Sequence, residues 1–378
     1  MREDTTFIKE QATVTSPATT PVKKRPRPAH HAKRAGLHYI NDGAKGFTRI
    51  KHDASFRYLR SDGKPLRDAA ALARIRRLAI PPAWEQVWIC ASANGHLQAT
   101  GRDAKGRKQY RYHKDFRGHC ERDKFKRIAD FAAVLPLIRA GVATDMARRG
   151  LPREKVLATI VSLLESTLIR VGNEDYARQN GSFGISTLRD RHTQIDGADI
   201  TFTFMGKSGR KWRIRLRDRR VARIVKACQD LPGQRLFQYL DENGKAQRIT
   251  STDVNVYLRQ LSGADVTAKD FRTWSGTVMA VQILREMGAA SSETAAKKAI
   301  RAAVLEVAAR LGNTPTICRK CYIHPAVFAQ HLAGKTQRTR PIAADAGDAT
   351  ALSAEERAVL RLITRGKNPG DKSLPLAA

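Results

Sequence analysis

The sequence predicts an α+β molecule of two domains: a small amino-terminal domain containing a β-sheet, followed by a larger, mainly helical domain that carries a β-hairpin. Three observations predict it. Short β-like runs flank an Asn94-Gly95 pair, a strong hairpin signal, and such runs dominate only before about residue 130. After that point Val156, Leu157, Ile160, Val161, Leu164 and Leu168 recur at three- and four-residue steps, the period of a helix with one buried face. Within the helical part, Trp212, Ile214 and Leu216 alternate after a Gly-rich tip, which marks a second hairpin. A chain of 378 residues that is 42% hydrophobic can bury two ordinary cores.

The elements follow in order. Residues 1–35 are polar, rich in Thr and Pro, and end in Lys23-Lys24-Arg25-Pro26-Arg27-Pro28 and His30-His31-Ala32-Lys33-Arg34. With almost nothing to bury they read as a disordered basic arm, either laid along a polyanion or serving as a solvated tail. Residues 36–130 form the β-rich domain, with strands over Gln86 to Ala91, His96 to Thr100 and Lys108 to His113. A linker is expected around Asp130 to Ala140. Residues 131–335 form the helical domain: one helix up to Arg170, a hairpin from Thr201 to Leu216 tipped by Gly206-Lys207-Ser208-Gly209-Arg210, and helices around Arg219 to Asp230, Thr252 to Leu261, Trp274 to Met287 and Glu293 to Leu311. Gly312 reads as the stop of the last. Residues 336–378 read as a tail with one short amphipathic helix from Ser353 to Thr364.

Composition narrows the function. Lys and Arg total 69 against 36 acidic residues, a formal charge of +33, so the expected partner is a polyanion. Five scattered cysteines do not make a disulfide scaffold and suit a reducing compartment. The start, Met1-Arg2-Glu3-Asp4, leads to no apolar signal segment, and no run reaches the roughly eighteen apolar residues of a membrane span. Gly206-Lys207-Ser208 has the look of a phosphate loop, but Thr201 stands where that motif needs Gly, and a strand follows instead of a helix, so nucleotide binding is rejected. His113, His119 and Cys120, and the pair Cys318 and Cys321, supply no four-ligand set, so no metal is assigned.

Two distant stretches carry the chemistry: Lys269-Asp270-Phe271-Arg272-Thr273, and Leu311-Gly312-Asn313-Thr314-Pro315 followed by Tyr322. A tyrosine with arginines and an amide donor suits attack on a phosphodiester, where negative charge builds on the phosphorus oxygens. The order Arg170, Lys207, Arg272, Asn313, Tyr322, in the frames Leu168-Ile169-Arg170-Val171-Gly172, Phe204-Met205-Gly206-Lys207, Lys269 to Thr273 and Gly312 to Pro315, resembles the catalytic core of type IB DNA topoisomerases of the compact poxvirus-like bacterial kind. Gly101-Arg102-Asp103, Gly106-Arg107 and Gln109-Tyr110-Arg111-Tyr112 resemble the family's DNA-contacting loop and strand. The resemblance spans roughly residues 36 to 335.

The resemblance implies the tyrosine recombinase/topoisomerase IB catalytic fold and relaxation of supercoiled duplex DNA through transient nicking of one strand, a covalent 3′-phosphotyrosyl link, strand rotation and resealing. It implies neither ATP nor metal nor any other cofactor, and a cytoplasmic location on the bacterial nucleoid; because one site handles one strand, the protein is expected to act as a monomer. It assigns Tyr322 as nucleophile, Arg170 and Arg272 as donors to the non-bridging oxygens and Lys207 as general acid for the 5′ oxygen. Asn313 stands where poxviral and eukaryotic members carry His; an amide can donate the same hydrogen bond but cannot carry charge. Lys269, Arg102, Arg107, Gln109, Tyr110, Tyr112 and Tyr176 are the expected DNA contacts.

Taken singly, each residue has an ordinary alternative: Arg170 as a helix cap, Lys207 as a solvated tip, Tyr110 and Tyr112 as packing on the domain core. The rival family is the tyrosine recombinase, which shares the spacing from position 313 to Tyr322. Recombinases, however, carry His where Lys269 stands and have a helical amino-terminal bundle. A DNA-packaging protein acting by charge alone would not need five catalytic residue types in order.

Overall fold

The computed structural model describes residues 28–53, 55–336 and 348–365. Most of the arm expected over residues 1–35 lies outside the described residues, but its end does not. Pro28–Arg34 is a helix, α1, with His31 and Ala32 buried, so these residues are ordered where a disordered arm was expected. The reason is tertiary: Ala32, Leu37 and Phe116 close a small apolar cluster that the local composition does not announce.

The amino-terminal part is a five-stranded antiparallel sheet. Its strands are β1 (Gly46–His52), β2 (Ser55–Leu59), β3 (Glu85–Cys90), β4 (Leu97–Arg102) and β5 (Lys108–Tyr112), in the order β2-β1-β3-β4-β5. β3 and β4 pair as the expected hairpin, with Ile89 opposite Ala99, but through residues 91–96 and without the left-handed turn that Asn94-Gly95 suggests. Helix α2 (Ala69–Arg77) lays Ile75 against Val87, Ile89 and Ala99. β1 and β2 have no clean apolar alternation: Arg49 takes a half-buried place on β1, donating to the carbonyls of Pro81 at 3.0 Å and Trp84 at 2.5 Å while stacking 4.2 Å over Phe56.

Helix α3 (Lys114–Met146) runs 33 residues, through Pro136 and through the whole stretch around Asp130 to Ala140 that was expected to be a linker. The apolar set Phe125, Ile128, Phe131, Leu135, Ile138 and Val142 gives it a buried face along most of its length, so packing overrides the break that Pro136 suggests. At its start, His113 Nδ1 accepts from the Asp115 amide.

The remaining chain is mainly helical around one large core. It contains α4 (Arg153–Thr167), α5 (Glu174–Asn180), the sheet of β6 (Thr193–Asp196), β7 (Asp199–Met205) and β8 (Lys211–Arg217), then α6 (Arg219–Gln229) and the small pair β9 (Gln238–Leu240) and β10 (Ala246–Arg248). Next come α7 (Ser251–Ser262), α8 (Ala268–Glu286), α9 (Glu293–Leu311), α10 (Pro315–Cys321), α11 (Pro325–Leu332) and α12 (Ala354–Arg365). The β7–β8 hairpin has Phe204 opposite Trp212, as its alternation predicts. α12 is no detached tail helix: Val359, Leu362 and Ile363 are buried in the large core. Glu356 accepts from Arg139 Nη2 at 2.8 Å and from Trp274 Nε1 at 2.9 Å. Among the described residues, no helix is long and apolar enough to cross a membrane.

Candidate active site on the helical core

Five chain segments place the expected catalytic residues, the β7–β8 hairpin carrying Lys207 and four others the rest. α4 ends at Leu168 in the left-handed conformation (φ 56°), so the helix stops short of Arg170 and the chain turns it inward. α8 begins earlier than the sequence suggests, capped by Thr267 and Asp270, so Lys269 and Arg272 lie in its first turns on one face. α9 ends at Gly312 (φ 61°), which reverses the chain to deliver Asn313. Tyr322 follows α10 directly, its amide donating to Cys318 O at 2.9 Å.

Arg272 is only 4% exposed. It donates to the carbonyls of Leu168 and, at 2.6 Å, of Leu311, so one guanidinium ties the ends of α4 and α9 together. Its Cζ lies 5.3 Å from the Tyr322 ring centroid. Arg170 donates to Gly312 O at 3.0 Å and to Asn313 Oδ1. Burial, and next the charge of Arg170, lower Arg272 to about 10, so it remains a cation at neutral pH; burial likewise lowers Arg170. The phenol of Tyr322 lies within electrostatic reach of both.

Two buried donors in this site have no protein partner: Arg272 Nε and Asn313 Nδ2. Because Arg170 can only donate, its bond to Asn313 Oδ1 fixes the amide with Nδ2 free. Leaving a buried donor unsatisfied costs about 1–3 kcal/mol, so both are poised for an oxyanion. Lys207, exposed at the hairpin tip, lines one hollow with Leu168, Arg170, Phe183, Trp212 and Arg272. Lys207, Arg170 and Arg272 are thus brought together from three segments, and Asn313 and Tyr322 join them through Arg170 and Arg272.

Sequence reasoning missed the residues that fix this arrangement. Lys124 of α3 donates to Cys321 O and places Nζ 5.2 Å from the Tyr322 ring centroid. Burial, then the nearby charge of Lys269, lowers Lys124 to about 8. Nothing local marks it, because it sits among other charged residues of α3. Trp212 rests on Gly312, where an added Cβ would come within 2.1 Å of its ring, and Arg210 donates to Ala309 O at 3.0 Å, so the hairpin is docked on the end of α9. Gly276 in α8 lets the Tyr322 backbone approach, since a Cβ there would meet Tyr322 O at 2.7 Å. A lone glycine inside an otherwise helical run was the available signal for that close contact.

The expected DNA contacts fall mostly on the edge strand β5 and its turn. Tyr110 (47% exposed) and Tyr112 (37%) stack 5.9 Å apart at 9°. Tyr112 also leans on Phe116 at 5.5 Å, so it both packs and faces out. Asp103 organises the turn, accepting from Arg107 Nε at 2.8 Å and Gln109 Nε2 at 2.9 Å; the Arg107 hydrogen bond holds its carboxyl down at about 2. Arg102 donates to Gln86 Oε1 at 2.9 Å and Gly106 O at 2.8 Å. Across a gap from this turn, Lys105 and Arg107 face Gln179 and Asn180 of α5; the hydrogen bond to Asp103, and to a lesser degree the nearby Tyr176 of α5, raise the Arg107 pKa.

Comparison with known proteins agrees with this geometry. The family described as eukaryotic DNA topoisomerase I, catalytic core, matches residues 113–343, and that described as bacterial DNA topoisomerase IB, N-terminal domain, matches residues 55–103. DNA topoisomerase 1B of Acanthamoeba polyphaga mimivirus is 34% identical over 305 residues, 76% of this chain and 90% of the relative. DNA topoisomerase 1B of Vaccinia virus (strain Western Reserve) is 24% identical over 252 residues, 65% of this chain and 75% of the relative.

Proposed function

The chain belongs to the type IB DNA topoisomerases, and from that premise we propose that Tyr322 opens one strand of duplex DNA and holds its 3′ phosphate while the other end rotates. The phenol oxygen attacks phosphorus as its proton passes to solvent water; the bond from phosphorus to the 5′ oxygen breaks, and Lys207 protonates that oxygen. Arg170, Arg272 and Asn313 Nδ2 donate to the non-bridging oxygens. Exchanging one phosphodiester for another conserves bond energy, so torsion in the DNA drives the reaction and ATP is not consumed. Resealing runs the steps backward, with the 5′ hydroxyl attacking the phosphotyrosine.

The observation that carries this reading is the pair of unpartnered buried donors, Arg272 Nε and Asn313 Nδ2, in the site of Tyr322. In an inert core both would be left at a cost; against a charge-bearing phosphate both are satisfied. Lys124 holds the Cys321 carbonyl and sets its ammonium 5.2 Å from the Tyr322 ring centroid, where its charge favours the developing phenolate. Lys269 contacts DNA from the same side.

We place the division between the DNA-gripping and catalytic parts near His113, where β5 gives way to α3; the continuity of α3 through residue 130 supports this over a boundary near 130. The amino-terminal sheet, through Arg102, Arg107, Gln109, Tyr110 and Tyr112, and the helical part, through Tyr176, grip the duplex from two sides. One site acts on one strand, so the protein works as a monomer, on nucleoid DNA in the cytoplasm.

The test is relaxation of supercoiled plasmid in EDTA without ATP, followed by detergent trapping on end-labelled duplex. The expected result is complete relaxation and a covalent adduct on the 3′ side of the break, both abolished in Tyr322→Phe. Relaxation by Tyr322→Phe at the parental rate, or an adduct on the 5′ side, would overturn the reading. Strand exchange between paired sites would transfer it to the recombinases.

A further inference from the structure

Helices α1 and α3 meet at a cluster the reaction does not use. His31 Nδ1 lies 3.3 Å, and His119 Nε2 3.4 Å, from the same oxygen, Asp123 Oδ2. The three ligand atoms all lie within 4.8 Å of one another. The side chains of His31, His119 and Asp123 are only 11%, 12% and 12% exposed. Neither imidazole nitrogen makes a hydrogen bond, although both are buried and aimed at one point. Two hydrogen-bonded His–Asp pairs would have had each nitrogen aligned on the carboxylate.

Two of the three ligand spacings match a small tetrahedral cation. With metal–nitrogen and metal–oxygen distances of about 2.0–2.1 Å, ligand atoms at tetrahedral corners stand about 3.3–3.4 Å apart. Both nitrogen-to-carboxylate distances have that length, whereas the two nitrogens, within 4.8 Å of each other, close toward the ion as it binds. Two imidazoles and one carboxylate are a borderline donor set that suits zinc and its first-row neighbours and disfavours calcium or magnesium, which take oxygen ligands. His119 and Asp123 stand four residues apart on one face of α3, which supplies two ligands from a rigid element, and α1 brings the third. The nearby charge of Arg34, 4.0 Å from Asp123, opposes cation entry without occupying the ligand position.

We propose that His31, His119 and Asp123 form a zinc-class metal site, completed by water, that fastens the basic amino-terminal segment to α3. The residue after Asp123 is Lys124, so the site fixes α3 at the turn that reaches Tyr322. Sequence reasoning set His119 aside because its visible neighbours, His113 and Cys120, offered no set; the missing ligands came from residue 31 and from one turn further along α3.

The test uses the full chain without an affinity tag, stripped with chelator and titrated with zinc alone. Expected are one zinc per chain at micromolar or lower concentration and a melting temperature raised by about 2–4 °C. Both should be lost in His31→Ala and in His119→Ala, while the unliganded variants melt close to the unliganded parent. Cobalt substitution should give the weak visible bands of a nitrogen and oxygen site without intense thiolate charge transfer. Substoichiometric zinc in the parent, zinc retained by the His31→Ala/His119→Ala double variant, or loss of zinc only in Cys318→Ser/Cys321→Ser would each overturn the proposal.

Discussion

At the scale of single residues, the positive charge around Tyr322 has one adjustable member. Arg170 and Arg272 keep their charge through the physiological range, but Lys124, pushed down to about 8 by burial and then by Lys269, does not. Asp270 and Glu121 are the acids within reach that oppose this shift. Below pH 8 Lys124 is an ammonium beside the phenol and favours the developing phenolate; above it that help disappears. The second-order rate of strand cleavage, which reports the free enzyme, is therefore expected to carry a falling limb near pH 8. Lys124→Met should lose about 10- to 100-fold at pH 7, equivalent to about 1.4–2.8 kcal/mol, and lack that limb. Lys124→Arg should restore the rate and stay flat. Superimposable pH profiles for parent and Lys124→Met would remove Lys124 from the mechanism. That residue also shows where the sequence stops being legible. Arg170, Lys207, Arg272, Asn313 and Tyr322 stand in recognisable frames and in order, whereas Lys124 is one of many cations on α3, and only the packing of α3 against α10 makes it special.

At the scale of elements, the β7–β8 hairpin depends on a contact that no periodicity reveals. The alternation of Trp212, Ile214 and Leu216 predicts the strand, and the structure bears it out. It does not predict that Trp212 lies on Gly312, because that contact joins residues a hundred positions apart. Gly312 meets two demands at once: a φ of 61° and no room for a Cβ. Gly312→Ala should displace Trp212, loosen the hairpin that carries Lys207, and disturb the Asn313 amide. Cleavage and resealing should fall at least about tenfold, with little loss of DNA affinity. Trimming the opposing ring in Gly312→Ala/Trp212→Leu should recover part of the loss. A cleavage rate within twofold of the parent for Gly312→Ala would show that the hairpin finds its place by other means. The same reasoning explains two differences from the sequence's expectations, a linker around Asp130 to Ala140 and a tail helix from Ser353 to Thr364. In both places the buried partners, Phe131 and Leu135 on one side and Arg139 with Trp274 on the other, decide the outcome.

For the whole molecule, the formal charge of +33 and the two-sided grip proposed above lead to a prediction about phosphate contacts. Counterion release makes such binding fall linearly in log affinity against log salt, with a slope near −0.9 per phosphate neutralised. A grip that engages about 6–10 phosphates would lose about 10³- to 10⁵-fold in affinity between 50 and 200 mM salt. The measurement is fluorescence anisotropy of Tyr322→Phe on a short labelled duplex, so that binding is read without cleavage. The two classes of contact should separate. Arg107→Ala, which removes a cation that Asp103 holds at the mouth between β5 and α5, should reduce the slope by about one. Tyr110→Ala removes an exposed ring without charge, so it should weaken binding at every salt concentration and leave the slope unchanged. A slope shallower than about −3 in the parent would mean that most of the cationic surface does not touch DNA, and the duplex would then be held mainly by the sheet's side chains and not enclosed between the two faces.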